Sequence, residues 1–102
     1  MTMPKWVPFK DGATIGQFGC DGYILRDEEF DGGARITLEL VGDHCEIVCG
    51  VYGSMVHTAF EDRDHADEKY EDMRRELGAF MAGDTTPEEE CEFYAEFTDK
   101  WW

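Results

Sequence analysis

His44, Cys45 and Cys49 most invite a chemical reading, because an imidazole and two thiolates make up a common zinc-ligand set. Their spacing argues against it once they are placed on a strand. Four residues of extended chain cover about 13 Å, too far for both thiolates to reach one ion through bonds of about 2.3 Å. Cys20 and Cys91 are distant in sequence and add no ligand-like spacing. Cys45 and Cys49 are therefore expected to be small core residues, with no metal centre and no cofactor. Asp27, Glu29 and Asp31, followed by Gly32, match the opening positions of a calcium loop. The twelfth position is Leu38, where that loop needs a bidentate glutamate. An acidic hairpin end fits these residues better.

Nucleophilic chemistry finds little support. Ser54 is the single serine and lies outside any G-x-S-x-G turn. Neither a phosphate loop nor a dinucleotide fingerprint occurs. His57 could meet a thiol after folding, but a lone histidine on a strand is more commonly structural. Catalysis is thus the less favoured expectation.

Carboxylate is what the chain has in abundance. Asp and Glu number 24 against 9 Lys and Arg, for a net charge of −15. Residues 61–102 hold 15 of the acids and 5 of the bases. Such a field repels phosphate backbones and anionic lipid, so neither nucleic acid nor a membrane surface is an expected partner. It attracts a basic protein and speeds the encounter. Glu61, Asp64, Asp67, Glu68, Glu71 and Asp72 lie beside or away from a helical apolar stripe and form the expected binding face, with Trp101 and Trp102 as aromatic contacts. A merely solvated helix face would carry the same pattern. No run approaches the roughly 18 apolar residues of a membrane-spanning helix, and residues 1–10 lack the apolar core of a signal peptide. Four cysteines are too sparse for a disulfide scaffold, so reduced thiols in a cytoplasmic protein are expected.

Those groups must be positioned by a small set of elements. A chain of 102 residues with 42% hydrophobic content supports one domain with one core, spanning 1–102. Asp11-Gly12, Asp21-Gly22 and Asp31-Gly32 recur ten residues apart as turn signals. Tyr23 to Phe30 reads as a first strand. Ala34 to Val41 is the clearest one, with Ala34, Ile36, Leu38 and Leu40 on one face and Arg35, Thr37 and Glu39 on the other. Cys45 to Tyr52 and Met55 to Phe60 follow as two more strands, or as one strand bent by a bulge at Gly50.

Near residue 62 the period changes. Ala66, Tyr70, Met73, Leu77 and Phe80 form a helical stripe. Asp62 or Asp64 is expected to cap this helix, Glu71 to pair with Arg75, Gly83 to end it, and Gly78 to mark close packing. Thr86-Pro87-Glu88-Glu89 reads as the capping box of a second helix. The order of strands then helices predicts an α+β fold: an antiparallel three- to four-stranded meander over 13–60, followed by one or two helices from 62–102 packed on one face.

The segments Asp27-Glu28-Glu29, Gly33 to Glu39, Cys49 to Gly53 and Val56-His57-Thr58 resemble a group of short uncharacterised bacterial proteins over residues 14–80. The resemblance implies a bacterial source and carries no activity and no site residue. The expected function is a protein-interaction module of the inhibitor or immunity-like kind, which neutralises a basic protein. The alternative is a small enzyme or ligand-binding domain with its pocket between sheet and helices. A homodimer through Trp6, Trp101 and Trp102 is a third expectation.

Overall fold

A computed structural model describes residues 5–102, so residues 1–4 of the expected domain lie outside the described residues. The strands are β1 (Trp6–Pro8), β2 (Tyr23–Phe30), β3 (Ala34–Val41), β4 (His44–Val51) and β5 (Met55–Asp62), followed by helices α1 (Ala66–Ala82) and α2 (Pro87–Lys100). All strands pair antiparallel in the order β1-β2-β3-β4-β5. The fold is thus an α+β meander with both helices on one face. Among the described residues it has five strands where three or four were expected, because the short β1 pairs Trp6 with Phe30 at the sheet edge.

The turns explain the meander. Asp31 and Gly32 both take positive φ, 45° and 71°, and Gly33 N–H closes onto Phe30 O. This geometry suits the right-handed twist of a hairpin and favours the Asp-Gly pair. Between β4 and β5, Ser54 N–H closes onto Val51 O and the register runs unbroken from Val51–Met55 to His44–Asp62. The two segments are therefore separate strands rather than one strand bent at Gly50.

One hydrophobic cluster unites the sheet's helix-facing side with the helices. Ala34, Ile36, Leu38, Cys45, Ile47, Cys49 and Ala59 meet Ala66, Tyr70, Met73, Leu77 and Phe97. Cys45 and Cys49 are core residues, as their strand alternation implied, and burial pushes the Cys49 thiol up to about 12. Where α1 crosses β2 the contact is charged. Arg26 reaches Glu71 at 2.6 Å and stacks over the Tyr70 ring at 4.3 Å, while Arg74 binds Glu28 at 2.9 Å and Glu71 at 2.8 Å. The second helix is seated by aromatics: Phe93 stacks on Phe80 with centroids 4.0 Å apart and meets Phe97 at 5.4 Å.

The caps divide. Thr86 and Glu89 form both bonds of the capping box. At α1 the residue before the helix is His65, which makes no side-chain cap. Asp62, the last residue of β5, spends its carboxylate on the His65 N–H and ring, one turn too early to cap the helix. Glu71 pairs with Arg26, which faces it from β2, and with Arg74 one turn along the same helix, while Arg75 turns to Asp72 instead. Gly83 follows the last turn in extended conformation, its N–H closing onto Phe80 O.

Gly78 is a packing glycine. A Cβ there would stand 2.7 Å from Trp6 Nε1, whose N–H donates to Arg74 O at 3.1 Å. Alanine would gain about 1 kcal/mol of helix propensity, but overpacking costs about 1–3 kcal/mol. Gly78→Ala is expected to lower stability by about 1 kcal/mol on balance. It should also shift Trp6 fluorescence toward the exposed form, both measured in a urea titration.

Candidate functional site

The helices leave the opposite face of the sheet uncovered, and the side chains there follow from the strand registers. Ile24, Glu39, Glu46 and Phe60 form one row across β2 to β5. Asp27, Thr37, Val48 and Thr58 form the next, and Glu29, Arg35, Gly50 and Val56 the third. These are the alternate residues of the same strands that supply the core. Arg35, Thr37 and Glu39 were legible as such from β3 alone, but their neighbours across the sheet were not.

Residues 9–22, between β1 and β2, fold back over the β2–β3 half of this face. Two buried carboxylates hold them there. Asp27, whose side chain is fully buried, accepts from Arg35 Nε at 2.8 Å and Arg35 Nη2 at 2.6 Å. It also accepts from Thr37 Oγ1 at 3.1 Å and Thr14 Oγ1 at 2.8 Å. Arg35 then stacks on the Phe9 ring at 3.7 Å. Glu39 accepts three backbone N–H groups, from Cys20, Asp21 and Gly22, at 2.8–3.0 Å. The approach requires glycine, because a Cβ on Gly22 would collide with Leu40 O. Burying a carboxylate is tolerable only when its oxygens are satisfied in this way.

Glu46 differs. It is nearly as buried as the other two and lies directly across from Glu39. Among the described residues the basic group beside it is the His44 ring, with Nε2 at 3.6 Å. Burial, together with Asp21 beside it, raises its pKa above the ordinary glutamate value, and His44 offsets only part of this. Around it the β4–β5 half of the face is open. Phe60 is half exposed, Val56 is 84% exposed, and Phe18 projects from the folded-back segment.

Where the covering segment meets β3 and β4, a depression of about 810 Å³ opens, with Phe9, Phe18, Ile24, Val48 and Val56 among its walls and Arg35 and Thr37 at its floor. A smaller one of about 410 Å³ lies beside Trp6, Phe30 and Gly78, between the sheet edge and α1. The larger concavity is thus on the face opposite the helices, rather than between sheet and helices as expected.

The expected binding residues are placed as follows. Asp67 and Glu71 face Arg26, Asp72 binds Arg75, and Glu61 lies 3.9 Å from Lys69. Asp64 and Glu68 are exposed. Trp101 is half buried against the core and Trp102 is exposed. Much of the acidic helix face is therefore already neutralised by this chain's own bases. His57 lies on the helix side, against Phe97, with its Nε2 on the Trp101 carbonyl. It shares no pocket with the residues of the 27–31 stretch. Asp27 and Glu29 point to the open face, Glu28 to the helices, and Asp31 lies in the turn. Glu61, Asp62 and His65 bring ligand atoms within 4.8 Å of one another at the surface, where Asp62 is engaged by the His65 ring at 2.8 Å. Among the described residues no helix is long and apolar enough to cross a membrane.

No family model matches this sequence, and no curated protein or solved structure is significantly similar to it.

Two outcomes follow from the buried carboxylates. Asp27→Asn leaves Arg35 facing a neutral amide. Its expected cost is about 3 kcal/mol, the low end for a broken buried pair because Arg35 is a third exposed. Hydrogen exchange should quicken across residues 9–22 before it does in the core. Glu46 carries the opposite sign. Its folded pKa is raised, so the folded chain holds a proton that the unfolded chain releases, and stability falls as pH climbs from the ordinary 4.5 through the raised value. Glu46→Gln removes that loss. It should be more stable than the parent at neutral pH and equal to it below the ordinary value, as read from urea midpoints across pH.

Proposed function

We propose that this chain is a protein-interaction module that receives a basic protein on the uncovered β4–β5 half of its open sheet face. The observation that carries the reading is Glu46. Asp27 has its arginine and Glu39 its three amides, whereas among the described residues Glu46 is buried with only a histidine at 3.6 Å. A lysine or arginine brought by a partner would supply the missing cation, and a charge-assisted bond to a mostly buried carboxylate is strong. Phe60, directly across from Glu46, offers its ring to the same side chain. Val48 adds apolar area beside it and Val56 and Phe18 farther along the same face, while Asp43 and Asp62 extend the negative rim. With a net charge of −15 steering the encounter, the module suits an inhibitor or immunity-like neutraliser that covers a basic surface without chemistry of its own.

A second reading, a ligand-binding domain, is favoured by one specific observation. The depression of about 810 Å³ beside Arg35 has mostly apolar walls and a few convergent polar groups, within the volume range of small-molecule sites.

The two readings separate in an NMR titration with a synthetic peptide of alternating arginine and leucine. Shifts are expected at Glu46, Val48, Thr58 and Phe60, weakening with salt, and Glu46→Gln should reduce affinity by about tenfold, the loss of one charge-assisted bond. Shifts confined to Asp64, Asp67 and Glu68 would return the docking face to α1. Shifts confined to Phe9, Thr14 and Arg35 would favour the ligand reading.

A further inference from the structure

The two edges of the sheet are treated differently. β1 is three residues long and ends at Pro8, which has no N–H to offer, so that edge is blunted. β5 runs for eight residues in unbroken register with β4 and contains neither proline nor lysine. Its outward backbone groups can be identified. Val51 O receives Ser54 N–H, so the odd-numbered residues of β4 turn toward β5 and pair with Met55, His57, Ala59 and Glu61. By alternation the N–H and C=O groups of Val56, Thr58 and Phe60 face outward. Lys69 Nζ confirms the direction by donating to Phe60 O at 2.7 Å. Among the described residues no turn, loop or cap hydrogen bond reaches the backbone of Val56 or Thr58. Along Val56 and Thr58 the edge is regular and unpaired, a template for another strand, whereas at Phe60 Lys69 Nζ ties the edge to Trp102 O at 2.9 Å.

We propose that β5 pairs antiparallel with β5 of a second copy of this chain, centred on Thr58, to give a continuous ten-stranded sheet. The sequence about Thr58 is self-complementary in that register. Thr58 faces Thr58 of the other copy, and Val56 of each copy faces Phe60 of the other on the open face. Threonine pairs and aromatic–β-branched pairs are favourable cross-strand neighbours. The three residue pairs exchange about six backbone hydrogen bonds once Lys69 releases Phe60 O.

Charge favours this arrangement over the parallel one. Glu61 and Asp62 sit at one end of β5, and between Met55 and Phe60 there is no Asp, Glu, Lys or Arg. Antiparallel pairing sends the two Glu61 side chains to opposite ends, about 20 Å apart along the strands, more than two Debye lengths at physiological ionic strength. Parallel pairing would stack them. The two-fold axis runs perpendicular to the sheet through the Thr58 pair. Both helix layers then stay on one side and the two open faces join on the other. This pairing is independent of the basic-partner reading, and the two respond to salt in opposite directions. Two copies of charge −15 repel each other, so salt strengthens the pair while it weakens a complex with a basic partner.

Light scattering at low and high salt, and cross-linking at single thiols, test the pairing. The full chain should approach twice its 11.7 kDa mass as salt rises. In a background with Cys20→Ser and Cys91→Ser, Thr58→Cys should form a disulfide-linked dimer on mild oxidation. The paired Cα atoms would stand about 5.5 Å apart, within the disulfide range. Val56→Cys alone should not link, because its two copies lie about 13 Å apart, but a mixture of Val56→Cys and Phe60→Cys chains should. Thr58→Pro removes an outward N–H that β4 does not use, and should weaken the dimer by about tenfold while leaving the circular-dichroism spectrum of the monomer intact. A monomeric mass at both salts would overturn the proposal, as would linkage through Val56→Cys alone as fast as through Thr58→Cys. A dimer whose affinity Thr58→Pro leaves unchanged would place the contact elsewhere and overturn it equally.

Discussion

The bond between Asp27 and Arg35 is the interaction on which the open face depends. A fully buried carboxylate in the middle of a sheet would be prohibitively costly alone. Here it is met by a bidentate guanidinium and two hydroxyls. One of those hydroxyls, from Thr14, belongs to the segment that folds back over the face, and the Phe9 ring of the same segment covers the guanidinium. Glu39 repeats the device with backbone amides of Cys20, Asp21 and Gly22. Two carboxylates thereby fix a glycine-rich stretch that has no regular strand or helix of its own beyond one short turn. That stretch limits the exposed sheet to its β4–β5 half.

This division gives the molecule two kinds of acidic surface. On α1 the carboxylates are interleaved with Arg26, Arg74, Arg75 and Lys69, and most of their charge is answered within the chain. Ion pairs of that exposed sort contribute little individually, but they lower the local field that an incoming basic protein would feel. On the open face Glu46 is mostly buried beside another carboxylate and, among the described residues, has only a histidine near it. A carboxylate largely removed from water without a full counter-charge gains more from an external cation than one fully at the water interface. The β5 edge, unpaired along Val56 and Thr58, borders that same half of the face, so self-pairing and partner docking would share a boundary, one through backbone groups and the other through side chains.

Much of the architecture was legible from residue order alone. The alternation in Ala34 to Val41 and Cys45 to Val51, the four–three spacing from Ala66 to Phe80, and the box at Thr86 to Glu89 reflect local geometry, in which the side-chain direction at each position follows from the backbone period. What was not legible depended on neighbours far off in sequence. The strand Trp6–Pro8 is three residues long and exists only because Phe30 is there to pair with it. Glu71 was free on paper to choose Arg75, and it took Arg26 because the sheet brought that residue within 2.6 Å. Nothing in the segment around Glu46 announces that Glu39 stands opposite or that Asp21 will be drawn in beside it.

The sequence by itself determined the α+β class, the antiparallel order, the single core and the two amphipathic helices, because hydrophobic period and turn chemistry act over a few residues and need no distant partner. The tertiary structure alone decided which acids are neutralised, which are buried, and which face of the sheet remains open. Electrostatic energy and burial depend on distances through space, and those distances are set only when segments tens of residues apart have packed against one another.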